Sequence, residues 1–135
     1  MNGIFVDTGA WYALVDKDDS DHVAASTFLA ANAHPMITTN AVFSETITLI
    51  RYRIGHEAAR ICGRKLKEST FVRMVTVTPA DEDRAWEIFT GYQDQDFSFT
   101  DCTSFAVMQR MKLDTALAFD RHFNVLKFSV VPCFR

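Results

Sequence analysis

"IFVDTGAWYAL" occupies Ile4–Leu14, and its reading decides the fold. Ile4-Phe5-Val6 is a short apolar run that reads as a buried strand. Asp7 closes the run. Thr8-Gly9-Ala10 then lead into a helical stretch through Trp11 to Val15. A strand that ends on an acid and passes at once into a helix is the opening unit of an α/β fold. The triplet Asp7-Thr8-Gly9 also occurs in aspartic proteases, which need paired aspartates on an all-β frame. This chain has no second Asp-Thr/Ser-Gly, and its segment after Gly9 reads as helix, so that reading is set aside. A phosphatase with a first-strand Asp nucleophile wants another acid two residues on, where Gly9 stands.

The alternation continues. Asp18 to Ala33 reads as a helix with Val23, Phe28 and Leu29 apolar, and Met36-Ile37-Thr38 as a strand. Ala41 to Ile54 carries Val42, Leu49 and Ile50 on one stripe. Gly55 reads as its C-cap, and His56 to Ser69 as the next helix. Val72 to Val77 reads as a strand. Thr78-Pro79-Ala80-Asp81 is a helix start with Ala85, Ile88, Phe89 and Tyr92 on its inner face. Gly91 to Phe97 reads as a loop. Ser98 to Asp101 repeats the capping spacing before a helix to Lys112, and Ala116 to Phe119 and Lys127 to Val131 close the pattern as strands. Strands separated by helices predict a parallel sheet covered on both faces, with ligands beyond its carboxyl ends.

With 135 residues the chain is expected to form a single domain over 1–135. A hydrophobic share of 48% argues against disorder. No apolar run is long enough for a membrane span, and no signal peptide is visible at the N-terminus. Cys62, Cys102 and Cys133 are odd in number and far apart, without metal-site spacing, so a reducing cytoplasm is the expected location. Charge is uneven. Residues 51–73 hold seven basic side chains against two acidic ones, a local +5 in a chain of net −3, so the other 112 residues carry −8. Such asymmetry marks either a polyanion-facing surface or two solvated helix faces, and patterning alone leaves both open.

Four acids stand out. Asp7 and Asp120 each end a predicted strand, where an acid can cap the next helix or face a ligand. Glu45 lies on an apolar stripe, three residues after Val42 and four before Leu49. A carboxylate there needs a cation, a salt-bridge partner or a route to water. Asp101 sits at a capping-box position and also crowns an inward face, four residues before Phe105. Four such acids would repel one another when empty. A divalent cation relieves this, and all-oxygen ligands select Mg²⁺ or Mn²⁺ over Zn²⁺. His22, His34, His56 and His122 show no zinc-ligand spacing and read as surface or capping residues.

"FVDTGAWYAL", "TTNAVFSETITLI", "FSFTDCTSFAVM" and "ALAFDRHF", in this order and spacing, resemble the PIN-domain ribonucleases, in particular the VapC-type toxins of bacterial toxin–antitoxin pairs. The resemblance spans essentially the whole chain. It implies a three-layer α/β/α sandwich with a central parallel sheet. It also implies metal-dependent hydrolysis of RNA phosphodiester bonds. By this resemblance Asp7, Glu45, Asp101 and Asp120 match the family's acidic quartet, which binds Mg²⁺ or Mn²⁺, and Thr8 matches the small hydroxyl residue that follows the first acid. The family often has Thr or Ser two residues before the last acid. Ala118 stands there, so one hydroxyl contact is missing. The resemblance further implies an RNA substrate, an antitoxin that obstructs the acidic site, and a homodimer. Arg51, Arg53, Arg64 and Lys65 are then candidates to hold the RNA backbone. Trp11 and Tyr12 offer stacking surface for bases or, more simply, core packing. Asp96 reads as a solvated loop acid near the rim. A housekeeping RNA-processing nuclease and a non-catalytic binding module on the same fold are the alternatives.

Overall fold

The structure is a computed structural model that describes residues 3–132. Five strands form one all-parallel sheet: β1 (Ile4–Val6), β2 (Met36–Thr39), β3 (Val72–Val75), β4 (Thr115–Leu117) and β5 (Ser129–Val131). Their order across the sheet is β3-β2-β1-β4-β5. Among the described residues seven helices flank it: α1 (Thr8–Val15), α2 (His22–Ala31), α3 (Asn40–Arg53), α4 (His56–Glu68), α5 (Pro79–Gly91), α6 (Phe99–Met111) and α7 (His122–Val125). This is the expected α/β/α sandwich.

β1 is central because it is apolar throughout, and Phe5 and Val6 are fully buried. Phe5 pairs with Ile37 on one side and Ala116 on the other. The chain steps from β1 to β2 to β3 on one side, then returns to lay β4 against the other side of β1. Such a reversal opens a crevice beyond the carboxyl ends of the two strands. Asp7 follows β1 directly, and Asp120 comes three residues after β4.

The helix starts follow local rules. Thr39 Oγ1 accepts from the amide of Val42 at 3.1 Å to cap α3. Thr78 with Asp81, and Ser98 with Asp101, form reciprocal capping boxes on α5 and α6. Asp81 also accepts two bonds from the Arg110 guanidinium, both at 2.9 Å, which ties α5 to α6. Gly55, at φ +148°, ends the α3 turn as the sequence predicts and leads straight into α4.

Several boundaries differ from expectation. The second helix begins at His22, not Asp18, because Asp16 and Asp19 take the amides of Asp18 and Asp21 and fold this stretch into turns. Val23 is exposed at 74%, and only Ala25 of that helix is buried. The strand predicted over 72–77 stops at Val75, and the one predicted over 116–119 stops at Leu117. The short helix α7 follows Asp120, where the sequence showed no helical period. Trp11 and Tyr12 are buried and belong to the core, so neither offers a face to a base. Cys62 and Cys102 are buried free thiols, while Cys133 lies outside the described residues.

Candidate active site

Asp7 is held by the sheet. Its amide donates to the carbonyl of Leu117 at 3.1 Å, which fixes it between the ends of β1 and β4. It stands at the N-cap position of α1, yet its side chain makes no capping bond. Among the described residues, Oδ1 of Asp7 is buried with no hydrogen-bond partner, and so is Oγ1 of the next residue, Thr8. Capping therefore does not explain this acid. A buried carboxylate oxygen without a donor is expensive unless something else comes to it.

The other three acids act on it through their charge. Burial pushes the Asp7 carboxyl well above its usual range, and the charges of Asp101, Asp120 and Glu45 push it further. Asp101 is also raised, first by burial. The Ser98 amide and His122 pull it back, while Asp120 and Glu45 add to the rise. So the four sequence-predicted acids, distant in the chain, share one electrostatic field. Glu45 is half-buried on α3, and among the described residues no ion pair joins it to a Lys or Arg. The salt-bridge explanation of Glu45 fails with that. Asp120 is more open than Asp7 and Asp101, its side chain 43% exposed, and its Oδ1 accepts from the amide of His122 at 3.0 Å. Asp96 is exposed in its loop, and Ala118 is fully buried.

His122 corrects the sequence reading. It is no free surface residue. Nδ1 lies 3.1 Å from Oδ2 of Asp101 and 3.6 Å from Oδ2 of Asp120. Its ring meets Phe97 edge-on at 5.4 Å between centroids. Phe97 packs in turn on the buried ring of Phe105. A histidine two residues after an acid carried this signal weakly, since only α7 turns the ring back toward α6. Ser98 was visible as a cap. In the structure its amide also donates to Asp101 Oδ2 at 3.0 Å, the same oxygen that faces His122.

The sequence-predicted basic residues do not form one group. Arg51 and Arg64 line a groove between α3 and α4. Lys65 lines an apolar cleft with Trp11, Leu29 and Ile61. Arg53 stacks over the Tyr12 ring at 5.2 Å and shares a shallow cleft with Glu45, Leu49, Tyr52 and Thr100. Of the four, only Arg53 stands beside an acid of the quartet.

A hard divalent cation fits this donor set. All four groups are carboxylates, and the unpartnered Asp7 Oδ1 is the oxygen that a cation would satisfy. Among the described residues, no three His, Cys, Asp or Glu side chains stand drawn together around a single point as a closed metal site.

Comparison with known proteins agrees with this fold. The PIN domain family matches residues 4–129. The 23S rRNA-specific endonuclease VapC20 of Mycobacterium tuberculosis is 39% identical over 125 residues, covering 93% of this chain and 95% of that protein. Ribonuclease VapC26 of the same organism is 28% identical over 96% of this chain and 100% of its own length. The crystal structure of Mycobacterium tuberculosis VapC20, described as a sarcin-ricin loop cleaving toxin, superposes with a TM-score of 0.88 at 38% identity, over 93% of this chain and 95% of that one. FitAcB from Neisseria gonorrhoeae superposes at a TM-score of 0.69 with 12% identity, over 94% and 95% of the two chains, a likeness of fold alone. The chain belongs to the PIN domain family and to its VapC branch.

Proposed function

We propose that this protein is an endoribonuclease that hydrolyses RNA phosphodiester bonds with Mg²⁺ or Mn²⁺, and that it is the toxin of a toxin–antitoxin pair. The observation that carries this reading is the buried Asp7 carboxylate, whose Oδ1 has no hydrogen-bond partner among the described residues and which feels the charges of three further acids where the sheet reverses direction. VapC20, a relative over nearly the whole chain, is named as an endonuclease specific for 23S rRNA, which supports RNA as the substrate class.

Asp7, Glu45, Asp101 and Asp120 would hold the cation, with Thr8 Oγ1 beside Asp7. The cation supplies a water of lowered pKa and neutralises charge on the phosphate. The chain's own groups set the stage for that chemistry. Burial keeps Asp7 from being satisfied by bulk water. Ser98 and His122 both bind Oδ2 of Asp101 and so fix that carboxylate's rotation. Because His122 also approaches Asp120, one imidazole sets the spacing of the two acids.

An antitoxin that covers the acidic crevice and a second copy of the chain are the partners in this reading, and the cytoplasm is its location. The homodimer is supported by apolar and aromatic surface left open on helices: Tyr52 at 82%, Trp86 at 59%, Phe89 at 41% and Phe99 at 40% exposure. Light scattering at micromolar concentration is expected to give twice the chain mass of 15.3 kDa.

The activity test is cleavage of a panel of structured RNAs with Mn²⁺, Mg²⁺ or EDTA, beside Asp101→Asn prepared identically. Cuts that need metal and vanish in the variant are expected. Equal cleavage by Asp101→Asn would sink the hydrolase reading.

A further inference from the structure

α3 lines two separate clefts. Glu45, Leu49 and Arg53 face the cleft beside the acidic centre. Residues 43, 47 and 51 lie on roughly the opposite side of the helix, at about 3.6 residues per turn. There α3 and α4 enclose a second groove, of about 340 Å³. Its floor is Phe43 and Ile47, and its walls carry Arg51, Arg60, Arg64 and Lys67. Arg60, Arg64 and Lys67 follow one another at spacings of four and three, so they form one edge of α4. Gly63 lets the two helices close below them, since a Cβ there would stand 3.2 Å from Cδ1 of Ile47.

Among the described residues no acid lines this groove, although the chain as a whole is net negative. All four cations are exposed. Arg60 is paired with Glu57 on its own helix. Among the described residues, Arg51, Arg64 and Lys67 form no ion pair with a carboxylate. Arg51 contacts Nδ1 of His56, and Lys67 lies over the Phe43 ring at 5.2 Å. Solvated cations on a helix are ordinary singly. A concave wall of four cations, three of them without a carboxylate partner among the described residues, matches the footprint of a polyanion.

The groove is also aimed. α4 runs back along α3, so the Lys67 end of the groove meets Phe43 near the start of α3. Glu45 lies only two residues further along, on the other side of that helix. A strand leaving the groove at Lys67 crosses about one helix width, on the order of 10 Å, to reach the acidic centre.

We propose that the α3–α4 groove is an exosite that holds the sugar–phosphate backbone of the RNA substrate away from the scissile bond. This rests on the ribonuclease reading above. Arg51, Arg60, Arg64 and Lys67 supply affinity that is independent of base identity. Arg53 and Lys65, outside the groove, do not take part. RNAs long enough to span both the groove and the acidic centre bind more tightly than fragments that fill the centre alone.

The test is fluorescence anisotropy in EDTA, where no cleavage intervenes, with single-stranded RNAs of about 30 and about 5 nucleotides. Wild type is compared with Arg64→Glu/Lys67→Glu, with the milder Arg64→Gln/Lys67→Gln, and with a charge-matched control, Arg84→Glu/Lys112→Glu. For the long RNA the reversal is expected to cost about tenfold in affinity or more, and to flatten the slope of log K against log salt by about 1.4, near 0.7 for each lost phosphate contact. The Gln pair loses less and in the same direction. The short RNA and the control change by about twofold or less. A reversal no worse than the control overturns the exosite. So does an equal loss for both RNAs, which would move these cations to the acidic centre. If a protein's acidic segment is the true occupant, RNA binding does not respond to the reversal, and the proposal falls. Failure of the ribonuclease reading is seen separately, as wild type that binds but does not cut RNA with Mn²⁺.

Discussion

Nδ1 of His122 stands 3.1 Å from Oδ2 of Asp101 and 3.6 Å from Oδ2 of Asp120, so one ring bridges two acids that the chain places 19 residues apart. An outer partner that orients metal-binding carboxylates commonly supports about 10–100-fold in metal affinity or activity. His122→Ala is therefore expected to raise the Mn²⁺ concentration for half-maximal cleavage about tenfold or more. The fold should persist, since the ring is partly open to solvent. An unmoved Mn²⁺ curve would remove the positioning role.

In the proposed reading, Asp7 trades stability for function. Its buried carboxylate has an oxygen that no donor reaches. Asp7→Asn is expected to abolish cleavage in Mn²⁺ and yet, in EDTA, to melt at a higher temperature than wild type, with a rise on the order of 4 °C for each kcal/mol recovered. Differential scanning calorimetry of the two proteins measures this. Adding Mg²⁺ should stabilise wild type and leave the variant almost unchanged. A lower Tm for Asp7→Asn in EDTA contradicts the reading of Asp7 as a strained site residue.

Asp81 has the same capping-box chemistry as Asp101 but the opposite electrostatics. The Arg110 guanidinium, then the Thr78 hydrogen bonds, hold its carboxyl below the ordinary value of 3.8 despite burial. Because the folded pKa is the lower one, this stabilisation is complete above the unfolded value and is lost as pH falls through the folded one. Arg110→Met is expected to cost about 2 kcal/mol at neutral pH, less than a fully buried pair would, since the Arg110 side chain is 43% exposed. The gap between variant and wild type should narrow below about pH 4. Urea unfolding at several pH values checks both the size and the sign.

Trp11 and Trp86 are separable by solvent. Trp11 is 5% exposed and donates its indole N–H to Thr38 Oγ1 at 3.2 Å, whereas Trp86 is 59% exposed. Trp11→Phe is expected to lose about 1–2 kcal/mol, from the bond and the vacated volume, with RNA affinity unchanged. Acrylamide should quench the fluorescence that remains in Trp11→Phe strongly, and that of Trp86→Phe weakly. A drop in RNA affinity for a stable Trp11→Phe protein would restore a stacking role for this residue.

The sequence by itself determined the frame. Short apolar runs, helical periods, the capping boxes at Thr78 and Ser98 and the glycine at position 55 are local signals. Local backbone and solvent preferences answer to them directly, which is why the parallel sheet, its helices and Asp7 at a strand end were all legible. The four acids were legible as a set because each falls at an element boundary or on an inward face. What only the tertiary structure decided is which groups meet. Capping explained Asp101 as well as it explained Asp81 until Arg110 was seen to pair with Asp81 and His122 with Asp101. His122 looked like surface because the turn into α7, set by the Asp120 carboxylate on its amide, is too short to leave a period in the sequence. The basic stretch over 51–73 read as one patch. The helix hairpin divides it into an RNA-facing groove as proposed, an apolar cleft and a stack on Tyr12, because residues adjacent in sequence point to different sides of a helix. Periodicity gives the direction of a side chain from its own helix. Only packing gives what waits there.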